Sequence, residues 1–118
     1  MSRCPFCDIV EPVLLRNRHA LAINDQHPIS PGHSLVVPTV HVESIFALPL
    51  ESYLRCFELL RQLKDCLQET HSPAGFNVVV NSGKAAGQTV AHAHIHLVPR
   101  YPDDILDLGI RAQCDSRY

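Results

Sequence analysis

One stretch sets the architecture: Leu50 to His71 reads as a single long helix between Pro49 and Pro73. Its apolar residues Leu50, Tyr53, Leu54, Phe57, Leu60, Leu63 and Leu67 recur every three or four positions, the spacing of one helix face. Pro49 suits a first helical turn, where a missing N–H is no loss. Cys56 and Cys66 fall on or beside the stripe and read as packing residues. Around this helix the chain reads as strands. The run "PVLLRNRHALAIND" suggests two short strands about a polar turn at Arg16–Arg18, and Pro28, Pro31 and Gly32 mark a loop. "HSLVVPT" is a short β-branched strand ended by Pro38. After the helix, "AGFNVVVNSG" and "VAHAHIHLVPR" read as an antiparallel pair joined by the loop "GKAAGQT", with Phe76, Val78 and Val80 on one face of the first strand. Strands grouped on both sides of one helix imply an α+β fold with an antiparallel sheet.

The chain has 118 residues, enough for one domain, with no repeat or linker. Hydrophobic residues make up 46% and charged residues 19%, as expected for a globular core. A formal net charge of −2 argues against duplex nucleic acid or an acidic membrane as partner. No apolar run reaches membrane-spanning length, and "MSRCPFCDIV" lacks the basic and apolar regions of an export signal. Five cysteines then read as reduced thiols of a cytoplasmic protein rather than a disulfide framework.

Three of the eight histidines, His92, His94 and His96, alternate with Ala93, Ile95 and Leu97. In a strand the imidazoles share one face and the apolar residues the other. Imidazoles under apolar cover would leave nitrogens unpaired, so the histidine face is solvated, ligated or catalytic. A surface strand would explain one histidine better than three. A three-histidine zinc site is geometrically poor, because His92 and His96 would be about 13 Å apart along a straight strand. A pH-sensing patch stays open but explains none of the neighbours. Nucleophilic catalysis suits an imidazole, which is largely unprotonated at neutral pH and can form a covalent intermediate. Gly87, Gln88 and Thr89, just before the histidines, offer close backbone approach, an amide and a hydroxyl for a phosphate.

The signature His92-Ala-His94-Ile-His96-Leu-Val98 resembles that of the histidine triad (HIT) family. The resemblance extends over Leu21–His41, the helix and Phe76–Val90, most of residues 4–101. It implies one HIT domain over 1–118, with a core at about 4–101 and a tail at 102–118 that matches no family pattern. The implied fold is a five-stranded antiparallel sheet with one long and one short helix, in a homodimer. The implied activity is hydrolysis at the α-phosphate of purine nucleoside phosphoramidates or related nucleotidyl conjugates. Dinucleoside polyphosphate hydrolysis by the same mechanism is one alternative, and a zinc-stabilised nucleotide-binding protein with little turnover is another.

By the same resemblance His94 is the nucleophile, His96 donates to phosphate oxygens, and His33 is a fourth active-site histidine behind the triad. Gly87, Gln88 and Thr89 lie at the phosphate, with Thr89 passing a proton to the leaving group. Asn81 supplies a phosphate- or ribose-side amide, and Asp25 accepts from the ribose hydroxyls. Read without the resemblance, Asp25 is an Asx-turn residue and His33 a strand-start histidine. His19, His27 and His71 receive no role. Cys4-Pro-Phe-Cys7 alone is a modest zinc signal, and a redox pair lacks its usual βαβ context. Some HIT members bind a structural zinc through such a pair and two histidines, here His41 and His92, a closed Cys₂His₂ set.

Overall fold

The computed structural model describes residues 4–104; the tail expectation falls mostly outside them. Five strands form one antiparallel sheet: β1 (Val13–Arg16), β2 (Ala20–Asn24), β3 (Ser34–Pro38), β4 (Gly75–Val79) and β5 (Ile95–Arg100). Their order across the sheet is β1-β2-β3-β5-β4. The long helix α1 spans Leu50–His71, and two short 3₁₀ turns, Ile45–Ala47 and Lys84–Ala86, stand where the resemblance implied a short helix. The α+β class and the five-stranded sheet therefore hold.

Helix α1 starts one residue after Pro49, whose extended ψ of 148° places it at the cap rather than in the first turn. It ends at Ser72, which adopts a left-handed φ of 50° so that its N–H reaches the carbonyl of Gln68 at 3.1 Å. The buried face differs from the stripe read in the sequence. Ser52, Cys56, Leu59, Leu60, Leu63 and Leu67 are buried. Leu50 is 73% and Leu54 50% exposed. At 3.6 residues per turn, the two sets are centred roughly a fifth of a turn apart. The spacing rule merged two apolar arcs, and only the one carrying Cys56 and Leu63 meets the sheet.

Ala20, Ala22, Val36, Ala93, Ile95 and Leu97 pack against that arc and complete the main core. Alternation puts Ile23, Leu35 and Val37 on the opposite face of the sheet, under Phe6 and Ile9 of the N-terminal segment. Phe76 and Val80 pack toward the main core as the alternation predicts, whereas Val78 is 51% exposed on the edge strand.

The last strand is shorter than its pattern suggests. It pairs with β3 only from Val36↔Ile95 onward, so His92 and His94 precede the ladder. There the Ala93 N–H turns to the carbonyl of Val42 at 2.7 Å. The histidine segment is thereby free to aim its rings in different directions.

Candidate active site

His94 is 5% exposed, and its Nδ1 lies 2.8 Å from the backbone oxygen of His92. A carbonyl can only accept, so the proton sits on Nδ1 and Nε2 keeps its lone pair. Burial pulls the ring's pKa below the ordinary histidine value, against the opposing effects of the His92 carbonyl and Asp25. The ring is therefore neutral near pH 7, the state a nucleophile needs. It stands edge-on to Phe6 at 5.0 Å between ring centres and to His96 at 5.1 Å.

His96 is the second residue of β5, on the same side. Its Nδ1 lies 3.0 Å from Nε2 of His33, which holds β3's entry from behind. The Ile29 N–H donates to His33 Nδ1 at 3.1 Å. Burial again dominates, pulling His33 down and His96 down to about 4, with His94 and His33 adding to the effect on His96 and Asp25 opposing it. Asp25 sits at the end of β2, where its Oδ1 accepts from the His27 N–H at 2.8 Å. That is the Asx turn its sequence suggests. Its other oxygen, Oδ2, lies 3.2 Å from His33 Nε2.

Of these side chains all but His33 border a cavity of about 260 Å³. His94, His96, Asp25 and Thr89 line it, joined by Phe6, Glu11, Gln26, His27 and Leu35. His27 was expected to have no role, and Phe6 and Leu35 were not singled out. The signal for Phe6 was its place inside Cys-x-x-Cys; that for Leu35 was its alternation with Val36. Gln88 is placed differently from the phosphate-side position expected of it. Its amide accepts from Gly83 N–H at 2.7 Å and donates to the carbonyls of Glu43 and Val90 at 2.7 and 2.9 Å. The side chain thus braces the loop, and a phosphate contact would have to replace those bonds. Asn81 is buried, and neither it nor Gly87 lines the cavity.

A second cluster lies beside the first. Cys4, Cys7, His41 and His92 bring one donor atom each within 4.8 Å of the others. His92 Nδ1 is 3.3 Å from Cys4 Sγ, 3.6 Å from Cys7 Sγ and 3.1 Å from His41 Nδ1. Tetrahedral zinc with bonds of about 2.0–2.3 Å separates its ligand atoms by roughly 3.3–3.8 Å, close to this spacing. The decisive detail is on the far side of the His92 ring, where Nε2 donates to the Pro38 carbonyl at 2.9 Å. That bond leaves Nδ1 bare and pointed at the thiols, as ligation requires. His92 thus leaves the phosphate-facing pair, and the objection to three histidines on one ion does not arise.

The sequence matches the HIT domain family over residues 8–103. A HIT family protein from Bacillus anthracis of known structure superposes with a TM-score of 0.79 at 37% identity, covering 85% of this chain and 72% of that one. The adenosine 5′-monophosphoramidase of Schizosaccharomyces pombe is 34% identical over 112 residues, 91% of this chain and 80% of its own. The adenylylsulfatase HINT3 of Arabidopsis thaliana is 32% identical over 108 residues, 87% of this chain but 55% of its own. Fold, histidine signature and relatives agree, and the chain belongs to the HIT family.

Proposed function

We propose that this protein hydrolyses nucleotidyl conjugates, purine nucleoside phosphoramidates above all, through a covalent intermediate on His94. One observation carries the reading: two adjacent rings on the cavity have opposite roles assigned by their partners. His94 Nε2 is a lone pair because Nδ1–H is committed to the His92 carbonyl. His96 meets the neighbouring His33 through Nδ1, which leaves its Nε2 as the donor for a phosphoryl oxygen.

In the first step the His94 Nε2 lone pair attacks the α-phosphorus and forms a P–N bond. The bond from phosphorus to the leaving group breaks, and its electrons depart with that group, which takes a proton through the Thr89 hydroxyl or water. The positive charge on His94 is held by the His92 carbonyl, while His96 stabilises charge on the phosphoryl oxygens. Water then attacks phosphorus, the P–N bond breaks with its electrons returning to Nε2, the water's proton passes to solvent, and the nucleoside monophosphate leaves a neutral ring. The names of the fission-yeast and Arabidopsis relatives both describe removal of a small group from an adenylyl moiety. They favour a small leaving group over the second nucleoside of a dinucleoside polyphosphate.

In this reading Cys4, Cys7, His41 and His92 hold a structural zinc, which fastens the N-terminal segment to the sheet. The working unit is a homodimer in the cytoplasm; the exposed Val78 on edge strand β4 supports a partner there. No helix among the described residues is long and apolar enough to cross a membrane. Quenching the protein mixed with adenosine phosphoramidate in alkaline denaturant tests the chemistry. The expected result is an acid-labile adenylyl adduct on His94; tight nucleotide binding with neither adduct nor turnover would favour the non-catalytic alternative.

A further inference from the structure

Asp25, His33 and His96 gather one donor atom each as closely as the cysteine cluster does. The contacts are 3.0 Å between His33 Nε2 and His96 Nδ1, 3.2 Å from His33 Nε2 to Asp25 Oδ2, and 3.6 Å from His96 Nδ1 to the same oxygen. By distance alone this is a second cation site. The partner of the remaining His33 nitrogen decides otherwise. His92 turns its far nitrogen to a carbonyl and therefore offers a lone pair to a metal. His33 turns its far nitrogen to the Ile29 N–H, so Nδ1 is bare and Nε2 carries the proton. Binding a cation at Nε2 would require an imidazolate. The space between these three residues is therefore occupied by a proton.

That proton has a consequence for His96. Two N–H groups cannot face each other at hydrogen-bond distance, so His96 Nδ1 must be the acceptor and its Nε2 must carry hydrogen. The assignment runs from the Ile29 backbone, through His33, to the His96 nitrogen available to a phosphate. Asp25 is built into this path. The Asp25 N–H donates to the His33 carbonyl at 3.0 Å, closing the loop between β2 and β3. Its Oδ1 is held by the His27 N–H, which fixes the carboxylate plane and leaves Oδ2 beside the His33 proton.

We propose that Asp25 is a positioning residue for His96: its carboxylate, 3.2 Å from His33 Nε2, holds the proton on that nitrogen by its charge and so keeps the cavity-side nitrogen of His96 a donor. The inference rests on reading the cavity as a nucleotidyl site and gives Asp25 a task separate from any contact with a ribose. Asp25→Asn is the discriminating change. Its side-chain oxygen can preserve the Asx turn, but the amide then presents N–H₂ where the charged Oδ2 stood. Donor faces donor, and the His33 proton loses its place.

Two measurements decide. The first is ¹⁵N resonance of the histidine rings in nucleotide-free protein. Wild type should show His96 protonated at Nε2 and bare at Nδ1, and Asp25→Asn should shift that population toward Nδ1–H. The second is turnover of adenosine phosphoramidate and of its 2′,3′-dideoxy analogue. Asp25→Asn should lower kcat by about tenfold or more on both, the scale of losing a supporting hydrogen bond. A wild-type His96 protonated at Nδ1 overturns the proposal. So does an Asp25→Asn defect that disappears on the dideoxy substrate while the ring populations stay unchanged, since Asp25 would then serve only the sugar. A wild type that turns over neither substrate would refute the proposed function, while the ring measurement, made without nucleotide, would still judge the role of Asp25.

Discussion

His92 serves two centres with two parts of one residue. Its backbone oxygen lies 2.8 Å from Nδ1 of His94, while its ring binds the Pro38 carbonyl through Nε2 and faces the thiols through Nδ1. The backbone of a proposed metal ligand thus fixes the tautomer of the proposed nucleophile, and the predictions below separate the two tasks.

Protein purified without chelator should carry about one zinc per chain, measured by plasma emission. Cys7→Ser should abolish it and lower the melting temperature by about 5 °C or more, because a metal that binds only the folded chain stabilises it. Retention of full zinc in Cys7→Ser would remove that residue from the ligand set.

His94→Ala should reduce turnover by about a thousandfold or more, the cost of deleting a covalent nucleophile. Nucleotide affinity, followed by calorimetry with a nucleoside monophosphate, should change only a few-fold. Unchanged kcat would exclude the nucleotidyl-histidine route.

Acid should destabilise the fold through the buried imidazoles. His96 is held down to about 4 by burial, with His94 and His33 adding to it, and His33 is lowered as well. A histidine whose folded pKa lies below its unfolded value takes up protons preferentially when unfolded. Its contribution is present above the unfolded value near 6.5 and is lost as pH falls toward about 4. The urea midpoint should drop across that window, and His96→Gln should flatten part of the drop. An equal slope in both proteins would show that His96 does not contribute.

Val78→Asp should convert a dimer into a monomer, read by light scattering. A half-exposed valine on an edge strand is inexpensive to replace in a lone chain, and costly where a second sheet edge covers it. Unchanged mass would place the contact elsewhere.

Much of this molecule is legible in its residues. The bounds of α1 follow from Pro49 and Pro73 flanking an apolar periodicity, and β3 from a β-branched run closed by Pro38. The histidine signature pointed to the cavity, and the family resemblance set Cys4 and Cys7 beside His41 and His92. What escaped depended on information the chain carries only when folded. Leu50 and Leu54 look as core-like as Leu59 and Leu63, because spacing records an apolar arc but not which arc meets the sheet. Gln88 reads as a phosphate ligand until its amide is seen filled by three backbone groups. Asp25 suits a sugar in one dimension, while its reach toward His33 requires β2 and β3 side by side.

Phe6 sits between Cys4 and Cys7 in sequence and rests its edge on the His94 ring. A ligand that displaced that aromatic side chain would pull on the turn that presents both thiols. Occupancy of one centre then taxes the other, and thermodynamic reciprocity makes the penalty mutual. With a metal held on those thiols, an oversized inhibitor would loosen it by the same factor that the metal weakens the inhibitor.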